Sequence, residues 1–173
     1  MLLPDDDIQE IYYFTARVSS RPNNPSSAHD QGLYLRALKT IPNLHIKYGH
    51  FTKHSVPMYL SNVEPAQKVW VEKTEEKGSD VNLASYLLRD AFQNRFDLAV
   101  LITNDSDLAE PVRIVREDLN LPIGILNPHQ FHSRELRQYA TFIKRIRQGD
   151  LLSSQFPNMV TDRKGTFAKP QGW

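Results

Sequence analysis

The sequence predicts an α/β fold in which a mainly parallel sheet is covered by helices on both faces. Three observations carry this. "LAVLIT" (98–103) and "LPIGILN" (121–127) are short, nearly continuous apolar runs, the pattern of strands buried on both sides. Helical periodicities alternate with strand-like segments along the chain. No internal repeat or linker divides the 173 residues, and that length suits one domain of roughly 100–200 residues.

From the N-terminus, "IQEIYYFTARV" (8–18) is rich in β-branched and aromatic residues and reads as a strand. "SSRPNNPSSAHDQG" (19–32) has the Pro, Asn, Ser and Gly density of a loop. "DQGLYLRALKTI" (30–41) places Leu33, Ala37 and Ile41 on one helical stripe, and Pro42 ends it. "HIKYGHFTK" (45–53) alternates polar and apolar residues like a strand near an edge, which "KVWVEK" (68–73) extends or pairs. Helical spacing returns in "DVNLASYLLRDAFQN" (80–94) through Val81, Ala84, Leu88 and Ala91. It recurs in "DLAEPVRIVREDL" (107–119) and in the basic "SRELRQYATFIKRIRQ" (133–148). One domain over 1–149 is expected, with a tail from Asp150 to Trp173 wrapping it through Phe156, Phe167 and Trp173.

Composition narrows the chemistry. There is no cysteine, so disulfides, thiolate metal sites and cysteine nucleophiles are excluded. No apolar run approaches the ~20 residues that cross a bilayer, and "MLLPDDDIQEI" turns acidic too soon for a signal peptide. A cytoplasmic protein without membrane partners is expected. The net charge of +1 is unevenly spread, because Arg134, Arg137, Lys144, Arg145 and Arg147 face only Glu135 between His129 and Gly149. That is either a solvated helix face or a surface contacting phosphates.

"TNDSDLAEP" (103–111) sets two aspartates at the end of an apolar strand. In doubly wound sheets, ligands bind beyond the carboxyl ends of the strands. Asp107 has a structural explanation, since Glu110 three residues on and Pro111 make a capping-box-like start. Asp105 has none, and its proximity to Asp107 is costly unless a cation or hydrogen-bond donors hold the pair. Asp80 begins a stripe with Leu83, Leu87 and Ala91 that faces the sheet. Three carboxylates without His or Cys suit Mg²⁺ or Mn²⁺, ions that activate water in phosphodiester hydrolysis. His45, His50, His54, His129 and His132 show no i, i+4 pairing on a helix and read as surface or satisfied residues.

"EEKGSDVNLASYLLRDAF" followed by "FDLAVLITNDSDLAEPVRIVREDLNLPIGIL" resembles the NYN domain, the LabA-like branch of the PIN-like nucleases. "YLRALKTIPN" with "YGHF", and the closing "SQFP" and "GTFAKPQGW", resemble the same bacterial subgroup. The resemblance implies a three-layer α/β/α Rossmann-like fold and a metal-dependent ribonuclease using Mg²⁺ or Mn²⁺. It implies Asp80, Asp105 and Asp107 as metal ligands and catalytic acids, with Asn104 and Ser106 orienting them. Lys77 matches the lysine of the motif. RNA is then the partner, its phosphates met by Arg134, Arg137, Lys144, Arg145 and Arg147, in a chain that could self-associate. The family opens on a central strand of the type Y-I-D-G-x-N that supplies another ligand, and no segment here matches it. Either the true start lies upstream, or, if the chain begins at Met1, a slot between the strands at 8–18 and 98–103 is expected. Thr141 stands where a late aspartate of the family would fall. A catalytically impaired RNA-binding or regulatory module is the alternative, and phosphoryl transfer on a small substrate a third reading.

Overall fold

The structure is a computed structural model that describes residues 2–20 and 22–170. Two compact units divide the chain, Tyr12–Ser79 and Met1–Ile11 together with Asp80–Trp173.

The Tyr12–Ser79 unit begins in strand β1, Ile11–Thr15, shorter than the predicted 8–18. Helix α1 spans Ser27–Leu38 and buries Leu35, Ala37 and Leu38. It starts inside the expected 19–32 loop, where Ser27 Oγ donates to Asn24 O at 3.0 Å. Gln31 fixes α1 to the chain leaving β1, accepting from Val18 N at 3.0 Å and donating to Ala16 O at 2.8 Å. Tyr13 and Tyr34 meet edge to face at 6.1 Å, and burial raises the Tyr34 hydroxyl pKa, helped by Tyr13. Strand β2, Leu44–Tyr48, pairs with β1.

The expected single strand at 45–53 breaks at Gly49. A Cβ there would lie 2.3 Å from Lys77 O, so only glycine admits this close backbone approach. Beyond it run β3, His50–Tyr59, and β4, Lys68–Lys77. They form an antiparallel ribbon in register from His50↔Lys77 to Tyr59↔Lys68. Most of its side chains are exposed, with Trp70 at 75% and Tyr59 at 65%. Lys68 lies over the Tyr59 ring at 4.9 Å.

The second unit holds the parallel sheet. Helix α2, Ser79–Phe92, buries Leu87, Asp90 and Ala91. Asp90 is tolerated there because Arg89 Nη2 lies 2.6 Å and Arg95 Nη1 3.5 Å from its Oδ1. Strand β5 is Ala99–Ile102 and β6 is Ile123–Asn127. They pair in parallel, Ala99↔Ile123 to Ile102↔Leu126, as the sequence predicted. The helix between them is not uniform. It opens as a 3₁₀ turn at Ser106–Leu108, becomes α3 over Ala109–Arg113, and widens into a π turn at Ile114–Asp118. Val112 and Val115 are fully buried and join Leu87, Ala91, Ile123, Ile125 and Leu136 in one core.

The predicted basic helix at 133–148 is the main correction. Helix α4 covers only Arg134–Tyr139, strand β7 lies at Phe142–Arg145, and helix α5 spans Gln148–Ser153. The chain leaves the helix at Ala140, whose ψ of 134° is extended. Thr141 then pairs with Ile123, its N 2.7 Å from Ile123 O and its Oγ1 accepting from Ile123 N at 3.0 Å. Pairing β7 to the free edge of β6 outweighs helical period over these few residues. The sheet order is β5-β6-β7, all parallel.

The expected irregular tail contains an antiparallel hairpin, β8 at Met159–Asp162 and β9 at Gly165–Ala168. Trp173, expected to help it wrap the domain, lies outside the described residues. The expected slot involves strands in separate units. Among the described residues β1 pairs with β2 and β5 with β6. No helix among them is long and apolar enough to cross a membrane.

Candidate functional site

The carboxyl edge of the parallel sheet is built by the residues through which the chain leaves each strand. After β5 comes Thr103-Asn104-Asp105, and its turn is stapled locally. Asp105 N donates to Thr103 Oγ1 at 3.1 Å, and Asp105 Oδ1 accepts from Asp107 N at 3.0 Å. Asp105 is thus the N-cap of the 3₁₀ turn. This reverses the sequence assignment, which gave the capping role to Asp107 and none to Asp105. Glu110 does not close a capping box either. It binds Arg113 at 2.8 Å, which holds its carboxyl below the usual range.

Asp105, Ser106 and Asp107 are all exposed, and Asp105 Oδ2 and the Asp107 carboxylate face no partner in the turn's own hydrogen bonds. Asp80 lies in the first turn of α2 and is exposed, unlike Leu87 and Ala91 on the same stripe. The apolar stripe is real, but it ends before Asp80. Among the described residues no three His, Asp or Glu side chains converge as a group that could hold a metal. The expected three-carboxylate cage is therefore not assembled, and Asp105 with Asp107 form a two-carboxylate turn. Lys77 belongs to the hairpin, its Nζ 2.7 Å from Glu75 Oε2. Glu75 also binds Lys73, and these two partners lower its pKa to about 2.

Asn104 orients something other than a carboxylate. Its Nδ2 donates to Phe131 O at 3.1 Å and its Oδ1 accepts from Ser133 N at 2.8 Å. Asn127, at the end of β6 and 0% exposed, holds the same loop. Its Oδ1 accepts from His129 N at 3.0 Å. Its Nδ2 lies 3.0 Å from His129 O, 3.2 Å from Phe131 O and 2.8 Å from His132 Nδ1. Loop 128–133 is consequently pinned to both strand ends. Sequence reasoning missed Asn127, Phe131 and His132. The signal was present in "ILNPHQFHS", where a polar residue ends a buried strand.

The basic residues no longer share one helix. Arg145 pairs with Asn127 in register at the carboxyl end of β7, and Ile146 N donates to Asn127 O at 2.9 Å. Arg145 and Arg147 thus reach the sheet edge that carries Asp105, two strand spacings or about 10 Å away. Arg134 opens α4 directly after the pinned loop, and Arg137 lies a turn further on. Lys144 Nζ donates to Leu2 O at 2.9 Å. Thr141 sits at the opposite, amino end of the sheet through Ile123, so it is no part of this edge.

Mg²⁺ is commonly held by one or two carboxylates and keeps several waters, so Asp105 and Asp107 fit such an ion as a partial site only.

Comparison with known proteins bears on this arrangement. The chain is 30% identical over 178 residues to 6-hydroxy-3-succinoylpyridine 3-monooxygenase of Pseudomonas putida, a match covering 94% of this chain. The chain spans 57% of the length of that relative. A crystal structure of a protein of unknown function from Vibrio parahaemolyticus is similar with a TM-score of 0.48 and 16% identity. That match covers 78% of this chain and 67% of the other. The NYN domain model matches residues 7–151, which take in both strand ends, the acidic turn and the pinned loop. The chain belongs to the NYN domain family.

Proposed function

We propose that this chain is a divalent-metal-dependent ribonuclease whose working edge is the carboxyl end of β5, β6 and β7. The observation that carries the reading is the exposed Asp105–Asp107 turn at a parallel strand end, within a family whose members are nuclease-like. Mg²⁺ or Mn²⁺, when bound, supplies charge neutralisation and water activation. Asp105 offers Oδ2, because Oδ1 is engaged by Asp107 N, and Asp107 offers its carboxylate. Asp80 would join them from α2 only through rearrangement. Asn104 acts on the pinned loop, and Ser106 lies between the acids. Arg145 and Arg147 draw the RNA backbone to this edge, with Arg134 and Arg137 extending the cationic surface. The reading includes the three-layer α/β/α arrangement and a cytoplasmic location.

The two-carboxylate turn favours a second reading, an RNA-binding module with impaired catalysis. One assay separates them, using labelled single-stranded RNA with the purified chain in Mn²⁺ or in EDTA. Cleavage in Mn²⁺ that Asp105→Asn abolishes supports the nuclease. RNA binding without cleavage supports the module. Turnover of 6-hydroxy-3-succinoylpyridine, the compound in the relative's name, would displace both.

A further inference from the structure

We propose that Phe131 is a stacking platform for an unpaired nucleobase, so that this edge takes single-stranded rather than duplex RNA. The inference rests on the RNA reading of the same edge and names its substrate class.

Phe131 is 77% exposed, so its ring contributes little to the core. Its backbone is nevertheless held more firmly than an ordinary surface loop requires. Two separate amide groups, from Asn104 at 3.1 Å and Asn127 at 3.2 Å, donate to Phe131 O. Two residues on, Ser133 N is fixed by Asn104 Oδ1 at 2.8 Å, and two residues back His129 is fixed by Asn127. Burying Asn127 completely is costly unless its amide is satisfied, and all of that hydrogen-bonding capacity goes to the loop. The fold thus uses a buried polar group to present an exposed aromatic residue on a fixed backbone.

An aromatic side chain carried on a fixed backbone has only its two side-chain torsions left to lose when a flat ligand stacks on it. Any base offers such a face, whereas bases in a duplex are already stacked on each other. The loop is tied to Asn104, the residue before Asp105, and Arg145 pairs with Asn127 on the neighbouring strand. A base on Phe131 would therefore leave its phosphates near both the acidic turn and the cationic strand end.

The test is fluorescence anisotropy with a labelled single-stranded RNA 12-mer in EDTA, so that binding is read without cleavage. The proteins are the full chain, Phe131→Ala and Phe131→Trp, and the probes are intact RNA, RNA with single abasic positions, and duplex RNA. Phe131→Ala should weaken intact RNA by about tenfold, and Phe131→Trp should restore it. One abasic position should weaken wild type similarly but cost Phe131→Ala nothing more. The salt dependence should be the same in all three proteins, because no phosphate contact is lost. Equal affinity of Phe131→Ala and wild type, or equal binding of duplex, overturns the inference while leaving the RNA reading standing. No RNA binding by wild type overturns both.

Discussion

The carboxylate of Asp105 accepts the backbone N–H of Asp107 at 3.0 Å, so one of the two acids is also the fastening of the turn that displays the other. Substitutions at Asp105 therefore mix two effects, and the choice of replacement separates them. Asparagine keeps an oxygen for the cap, while alanine removes it. Asp105→Ala should lower stability by about 1 kcal/mol, and Asp105→Asn by far less. Both should lose Mn²⁺-dependent cleavage equally. The measurement pairs metal-free thermal melts with single-turnover cleavage. Full cleavage by Asp105→Asn would remove Asp105 from the chemistry and leave it a cap.

Gly124 makes room for Phe142. A Cβ on Gly124 would lie 2.1 Å from Phe142 Cζ, so the ring rests directly against the backbone of β6. Gly124→Ala should cost about 1–3 kcal/mol through overpacking. Adding Phe142→Leu should recover part of it. Denaturant unfolding of the two single variants and the double gives the coupling, and simple additivity would show that the ring moves away freely.

Arg145 and Arg147 should contact phosphates at the working edge. Replacing both with glutamine should weaken RNA binding uniformly across sequences and shallow its dependence on salt. Lys144→Gln should change the slope least, because its ammonium is engaged at Leu2 O. Filter binding at several salt concentrations reads both slopes. An altered sequence preference at unchanged slope would place the arginines on bases instead.

Glu75 should titrate near 2, held down first by its bond to Lys73 and then by Lys77. Its folded value is depressed, so its contribution to stability is complete above the ordinary carboxylate value of 4.5 and is lost as pH falls toward 2. Lys73→Ala should move the side-chain titration seen by NMR upward toward 4.5. The exposed position limits the effect on stability. An unchanged midpoint would mean that the ion pair is not formed in solution.

The buried strands β5 and β6 and their parallel pairing were legible because apolar content alone marks them. The basic strand β7 was not. "FIKRI" sits at helical spacing from "LRQYA", and what decides the matter is pairing with β6, a distant segment whose Gly124 makes room for Phe142. The acidic turn was found as a place, but its internal roles were inverted. Which aspartate caps depends on whether the first turn begins at 106 or 108, a shift of two residues that propensity does not resolve. Asp80 was assigned by stripe, and stripes fade at helix ends, where the first turn is free to turn outward. Asn127 escaped because a single buried amide resembles any strand-ending polar residue until the loop it binds is in place.

The hairpin of β3 and β4 has a colloidal consequence. Val69, Trp70 and Val71 form a β-prone apolar triplet on a strand whose outer edge has no further strand beside it among the described residues. Such a triplet invites cross-chain pairing during concentration or refolding. Lys68 stands immediately before it and Glu72 immediately after, with Lys73, Glu75, Glu76 and Lys77 continuing the charged run. Those flanking charges act as gatekeepers that keep the triplet in solution. Neutralising Lys68 and Glu72 together should leave the melting temperature of the parallel-sheet unit unchanged, yet bring precipitation at protein concentrations the wild type tolerates.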